Sequence, residues 1–131
     1  MATIFSRIIA GEIPCHKIAE SEDCFAFLDI APLAIGHCLV VPKREVDKYF
    51  DLSDEELSSI NVFSKKIANA IELAIPCKRV GIAVIGLEVP HAHIHLIPLQ
   101  SVEDINFERA KLDVSNELLA ETAKIIREKL M

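Results

Sequence analysis

Residues 89–99 read VPHAHIHLIPL, with His91, His93 and His95 separated by single apolar residues. Alternation of this kind is a strand pattern, because side chains at i, i+2 and i+4 share one face at roughly 6.6 Å per step. The three imidazoles therefore point one way, while Ala92, Ile94 and Leu96 fill the opposite face. The chain has five histidines in all. A lone one such as His16 reads as a satisfied polar side chain, but packing gives no reason to gather three in register on one face.

The elements on either side follow from turn and cap signals. RIIAGEIPCHKIAE (7–20) carries a Gly-Glu-Ile-Pro break, so a short amino-terminal helix ends near Gly11 and a strand begins near Cys15. DCFAFLD (23–29) and GHCLVVP (36–42) read as the second and third strands. Ser53 and Glu56 form a capping box that opens an amphipathic helix over 54–74, with Leu57, Ile60, Phe63, Ile67, Ile71 and Ala74 at helical spacing and Pro76 beyond it. RVGIAVIG (79–86) is a fourth strand and HAHIHLIP (91–98) a fifth. A last helix runs from Ser115, with Leu118, Leu119, Thr122, Ile126 and Leu130 on one face. Strands in succession around one long helix are an α+β pattern: a five-stranded antiparallel sheet covered by a central and a carboxy-terminal helix.

Bulk properties bound what such a domain does. At 131 residues the chain is one domain, 1–131, with a core over 3–100 and a helical tail over 101–131. Hydrophobic residues make up 51% and mean hydropathy is +0.33, a surplus that points to a homodimer sharing apolar surface. No uncharged apolar run reaches the length of a membrane span. The start, MATIFSRIIAGEIP, places Arg7 inside its apolar part, unlike a secretory signal, so a cytoplasmic protein is expected. A net charge of −6 argues against nucleic-acid backbone binding but leaves room for one small phosphate ligand. Cys15, Cys24, Cys38 and Cys77 form no C-x-x-C pair and read as small apolar groups in a reducing compartment.

Two chemistries suit the histidine run. In the first, His-x-His supplies two ligands to zinc. However, His91 and His95 lie about 13 Å apart along a strand, and no further ligand cluster offers itself. In the second, the middle imidazole is a nucleophile toward phosphorus, available near neutral pH, while its neighbours orient it and stabilise developing charge.

HAHIHLI (91–97) fits the His-φ-His-φ-His-φ-φ signature of the histidine triad (HIT) nucleotide-binding proteins and hydrolases. The likeness runs along most of the chain. IFSRIIAGEIP (4–14) resembles that family's opening, FAFLDIAPLAIGHCLVVPK (25–43) its central strands, and the tail that of bacterial-type members. The resemblance implies the HIT fold and a nucleotide phosphoramidase or nucleotidyl hydrolase, cleaving at the α-phosphate of a purine nucleotide derivative through a covalent nucleotidyl-His93 intermediate. His95 and His37 would contact phosphate or position the nucleophile, with His91 completing the catalytic set. Asp29 would accept from the ribose hydroxyls, and Phe5, Ile8, Phe27, Leu28 and Ile30 would form the slot for the base. For the apolar five, ordinary core is the plainer alternative, and Asp29 ahead of Ile-Ala-Pro also suits a turn. Neither cofactor nor metal is called for.

Three departures from the family pattern bear on activity. Many bacterial members carry C-x-x-C and a histidine after Pro-Lys as part of a structural zinc site. Here Thr3, Ser6 and Glu45 stand at those positions, so no structural zinc is expected. Where the family commonly has Gly-Gln followed by Ser or Thr, this chain has Gly86, Leu87 and Glu88; Leu87 has no side-chain donor, and Glu88 would bring negative charge to the nucleotide site. Nothing polar in VGIAVIG replaces a usual asparagine. Losing one well-placed donor costs on the order of 3 kcal/mol in the transition state. A nucleotide-binding protein of the same fold with little turnover is therefore one alternative, and a dinucleoside polyphosphate hydrolase another.

Overall fold

A computed structural model describes residues 2–130; the terminal methionines of the expected domain lie outside the described residues. Helix α1 (Ile4–Ile9) is followed by strands β1 (Lys17–Glu20), β2 (Cys24–Leu28) and β3 (Cys38–Pro42). Helix α2 (Asp54–Ala74), strands β4 (Arg79–Ala83) and β5 (Ile94–Leu99), and helix α3 (Asn116–Arg127) complete the chain. The sheet is antiparallel throughout, in the order β1-β2-β3-β5-β4. Short 3-10 turns at Tyr49–Asp51 and Val102–Ile105, which carry no periodic signal, fill two connections.

Each face of the sheet has its own apolar layer, and strand alternation decides which residue joins which. Cys24, Ala26 and Leu28 of β2, with Val40 of β3 and Ile94 and Leu96 of β5, face α2 and α3. There they meet Ile60, Ile67, Ile71 and Ile126, every one fully buried. Burying an isoleucine of this kind stabilises the fold by about 1.5–3 kcal/mol before entropy is counted. The other face carries Phe25, Phe27, Leu39 and Val41, covered by Phe5 and Ile8 of α1. This second layer is smaller and leaves part of the sheet open, where the cavity described below forms.

The long helix keeps the bounds its sequence marked. Ser53 Oγ accepts from Glu56 N, the Glu56 carboxylate accepts from Ser53 N, and Arg44 holds that carboxylate with two bonds of 2.7 Å. The sheet's two edges differ. At β1 the ladder is interrupted by a bulge between Lys17 and Ala19, Arg127 donates to the Lys17 carbonyl at 2.8 Å, and α3 packs over the strand. Among the described residues the outer side of β4 meets no other strand, and Ile82 is 56% exposed.

The boundaries depart most from expectation at two strands: β4 stops at Ala83, three residues short of Gly86, and β5 starts late. The fifth strand begins at Ile94, because β3 offers partners only to Ile94, His95 and Leu96. His91, Ala92 and His93 lie in extended chain ahead of it, with Ala92 N donating to the Val46 carbonyl. The three histidines therefore do not share one regular strand face.

Candidate active site

A cavity of about 360 Å³ opens on the α1 side of the sheet and is lined by His37, His93, His95, Asp29, Phe5 and Glu88, among others. His91 is not among its walls. Hydrogen bonds fix the tautomer of each ring, and the tautomers define what each can do.

His37 is 1% exposed and enclosed by the loop 29–37, whose entry into β3 turns at Gly36 with a φ of +101°. A β-carbon at Gly36 would sit 3.0 Å from Ile75 Cγ1, so glycine suits both the backbone and the space. The backbone N–H of Leu33 donates to His37 Nδ1 at 3.0 Å. A neutral His37 must then carry its proton on Nε2 and donate to His95 Nδ1, 3.0 Å away. Burial, with the charges of His95 and Lys111 adding, lowers the His37 pKa to about 3; His95 is lowered to about 4, again mainly by burial. Both rings are neutral at physiological pH, and His95 is left with Nε2–H as its free donor.

His93 is arranged in the opposite sense. Its Nδ1–H donates to the His91 carbonyl at 2.7 Å, so Nε2 keeps a lone pair. Phe5 packs edge-on against the ring at 5.0 Å and His95 at 4.9 Å, restricting its rotation. A fixed imidazole with a free lone pair beside a neutral N–H donor is suited to attack phosphorus and steady a phosphoryl oxygen.

Asp29 meets the cavity at the His37 end. Its Oδ1 accepts from Ala31 N at 2.9 Å, closing a turn, and its Oδ2 lies 3.7 Å from His37 Nε2. Since His37 is neutral, this is not an ion pair; burial in fact raises the Asp29 pKa. Asp29, His37 and His95 bring ligand atoms within 4.8 Å of one another, the spacing of a three-ligand metal site. The hydrogen bonding disfavours that use. With Nδ1 accepting from Leu33, His37 has no second lone pair for a metal at Nε2 unless it becomes an imidazolate.

His91 is fully buried behind Phe5, and both its nitrogens are engaged. Nε2–H donates to the Pro42 carbonyl at 2.8 Å, and Nδ1 accepts from the Thr3 hydroxyl at 2.8 Å. The Glu45 carboxylate accepts from Ser6 Oγ at 2.6 Å and Thr3 N at 3.0 Å, and these bonds hold its pKa below the usual range. Thr3, Ser6, Glu45 and His91 thus form a hydrogen-bonded knot that ties α1 to the approach to β5.

Of the residues expected at a base slot, Phe5 lines the cavity. Ile8 and Phe27 belong to the layer behind it, and Leu28 faces the opposite layer under the helices. Ile30 is 69% exposed and outside the lining. The side chains taking up the wall are Ile4, Leu39, Ile85, Leu87 and Val89, joined by Phe107 and Lys111 from the tail. The sequence carried no periodic signal for those last two, which sit in irregular chain between Ile105 and α3.

Comparison with known proteins finds relatives of the whole domain. The family model described as HIT domain matches residues 10–102. An adenosine 5'-monophosphoramidase of Schizosaccharomyces pombe is 41% identical over 105 residues, 79% of this chain and 78% of that protein. One from Saccharomyces cerevisiae is 40% identical over 98 residues, 74% of this chain but only 62% of that protein. A crystal structure of a Hit-like protein involved in cell-cycle regulation from Bartonella henselae superposes with a TM-score of 0.85 at 32% identity, covering 98% of this chain and 96% of the other.

Proposed function

The chain belongs to the HIT domain family, and from that premise we propose that it is a nucleotide phosphoramidase or nucleotidyl hydrolase acting through His93. The observation that carries the reading is the His93 tautomer. With Nδ1–H bonded to the His91 carbonyl, the Nε2 lone pair is the nucleophile at the cavity wall. Nε2 attacks the α-phosphorus of a purine nucleoside phosphoramidate or phosphoanhydride. The bond to the leaving nitrogen or oxygen breaks, its electron pair goes to that atom, and the leaving group takes a proton from water. A second water then forms a P–O bond as the Nε2–P bond breaks, releasing the monophosphate. His95 Nε2–H steadies a phosphoryl oxygen, His37 holds His95 in its tautomer, and Asp29 Oδ2 is placed to accept from a ribose hydroxyl.

A second reading, nucleotide binding with little turnover, is favoured by Glu88, which lines the cavity beside the donorless Leu87. Metal-free turnover of adenosine 5'-phosphoramidate separates the two. Wild type should cleave it and His93→Ala should not, while both bind AMP. Binding by both with cleavage by neither would leave the binding-protein reading in its place.

The same proposal takes the protein as a homodimer. Val62 and Leu73 on α2 and Ile82 on the free side of β4 are apolar and more than half exposed, which supports pairing through that flank. Sedimentation would read the mass directly. Among the described residues no helix is long and apolar enough to cross a membrane.

A further inference from the structure

The cavity has a charge imbalance that the triad does not repair. His37 and His95 are neutral, Leu87 supplies no donor, and Asp29 and Glu88 both bring carboxylates to the lining. A phosphorylated ligand therefore enters a site with more negative than positive charge. Among the described lining residues the sole lysine or arginine is Lys111, and it comes from the tail.

That lysine is held in place by its loop. Between the 3-10 turn and α3, the tail turns back over the loop that encloses His37. Leu112 N donates to the Pro32 carbonyl at 2.8 Å and Arg109 Nη2 to the Leu33 carbonyl at 3.0 Å. Arg109 is itself steadied by Asp104 at 3.5 Å. So anchored, the loop lays the Phe107 ring against His95, 4.6 Å between centroids, and 6.3 Å from His37. Lys111 Nζ donates to the Phe107 carbonyl at 3.1 Å and lies 5.4 Å from the Phe107 ring centroid. Among the described residues Lys111 Nζ makes no other hydrogen bond, which leaves two ammonium protons free at the cavity wall.

We propose that Lys111, carried to the rim by the tail loop 106–114, is the receptor for the substrate's phosphate charge. The site thereby selects a phosphorylated nucleoside over the nucleoside alone. This rests on the nucleotide reading given above. Phe107 acts as a positioning residue, packing against His95 and supporting the lysine through its carbonyl. The tail thus contributes a binding group as well as a helix that covers the sheet.

The test compares AMP with adenosine, which lacks the phosphate, as ligands of wild type, Lys111→Met and Lys111→Arg in calorimetry, alongside turnover of adenosine 5'-phosphoramidate. Lys111→Met should weaken AMP binding roughly ten- to a hundredfold, the loss expected when a charge-assisted hydrogen bond is removed, and leave adenosine binding unchanged. Lys111→Arg should restore most of the AMP affinity. Either of two binding results would overturn the assignment: AMP bound by Lys111→Met as by wild type, or AMP and adenosine weakened equally, which would make the lysine a support for the loop. If wild type itself neither binds AMP nor cleaves the phosphoramidate, the nucleotide reading fails, and this assignment with it. Cleavage by wild type that persists undiminished in Lys111→Met defeats the lysine's role alone.

Discussion

His91 and His93 are two residues apart and both pack against Phe5, yet the fold gives them opposite tasks. At His91 both ring nitrogens are bonded within the protein and the side chain is sealed from solvent. At His93 one nitrogen is bonded and the other faces a cavity. An imidazole has two polar atoms, and the number that the fold occupies decides whether it acts as a strut or as a reagent. The His91 carbonyl connects the two, because it holds the His93 proton on Nδ1 and leaves the Nε2 lone pair free.

Exchanging the two effects would break this contrast. The largest expected effect is on chemistry: His93→Ala should lower phosphoramidate turnover by on the order of 10³-fold or more while the melting temperature stays near that of wild type. His91→Ala should do the reverse in kind. It removes a buried ring and leaves the Pro42 carbonyl without its donor, at about 2–4 kcal/mol of stability in denaturant melts. Turnover there should fall only as far as His93 loses its alignment. If His91→Ala unfolds no more readily than wild type, the strut interpretation is wrong.

Acid sharpens the contrast. The pKa values of His37 and His95 are lowered in the folded state to about 3 and about 4, so below about pH 6.5 the unfolded chain binds protons that the folded chain does not. Stability should therefore be complete above pH 7 and decline as pH falls from about 6.5 toward 4. Each of these histidines contributes a slope of up to about 1.4 kcal/mol per pH unit. Melting curves at pH 7, 6 and 5 would show this, and Phe in place of His37 should flatten the decline. The smallest effect is at the knot. Thr3→Val removes the hydroxyl that caps α1 at Ser6 N and donates to His91, and should cost about 1–2 kcal/mol with turnover little changed.

The sequence disclosed those parts whose causes are local. Ser53 and Glu56 announced α2 because a capping box is complete within four residues, and the alternating apolar runs announced the strands. The alternation at 91–95 was true, but a strand also needs a partner, and β3 ends its pairing at Ile94; no pattern internal to residues 91–93 reveals this. The triad histidines could be read as a group, whereas the difference between His91 and its neighbours depends on Thr3 and Pro42, more than 45 residues away in sequence. Phe107 and Lys111 were invisible for the same reason: their place comes from bonds to the carbonyls of Pro32 and Leu33.

The unequal edges of the sheet set a limit on assembly. A bare strand edge is a template to which any extended chain can add, and repeated addition is how fibres grow. Here β4 offers such a template, but the opposite edge is bulged, tied down by Arg127 and overlaid by α3. A second copy adding through its own β4 would turn its blocked edge outward. Growth that began there would terminate at two, because the helix that finishes the core also overlies the far edge strand.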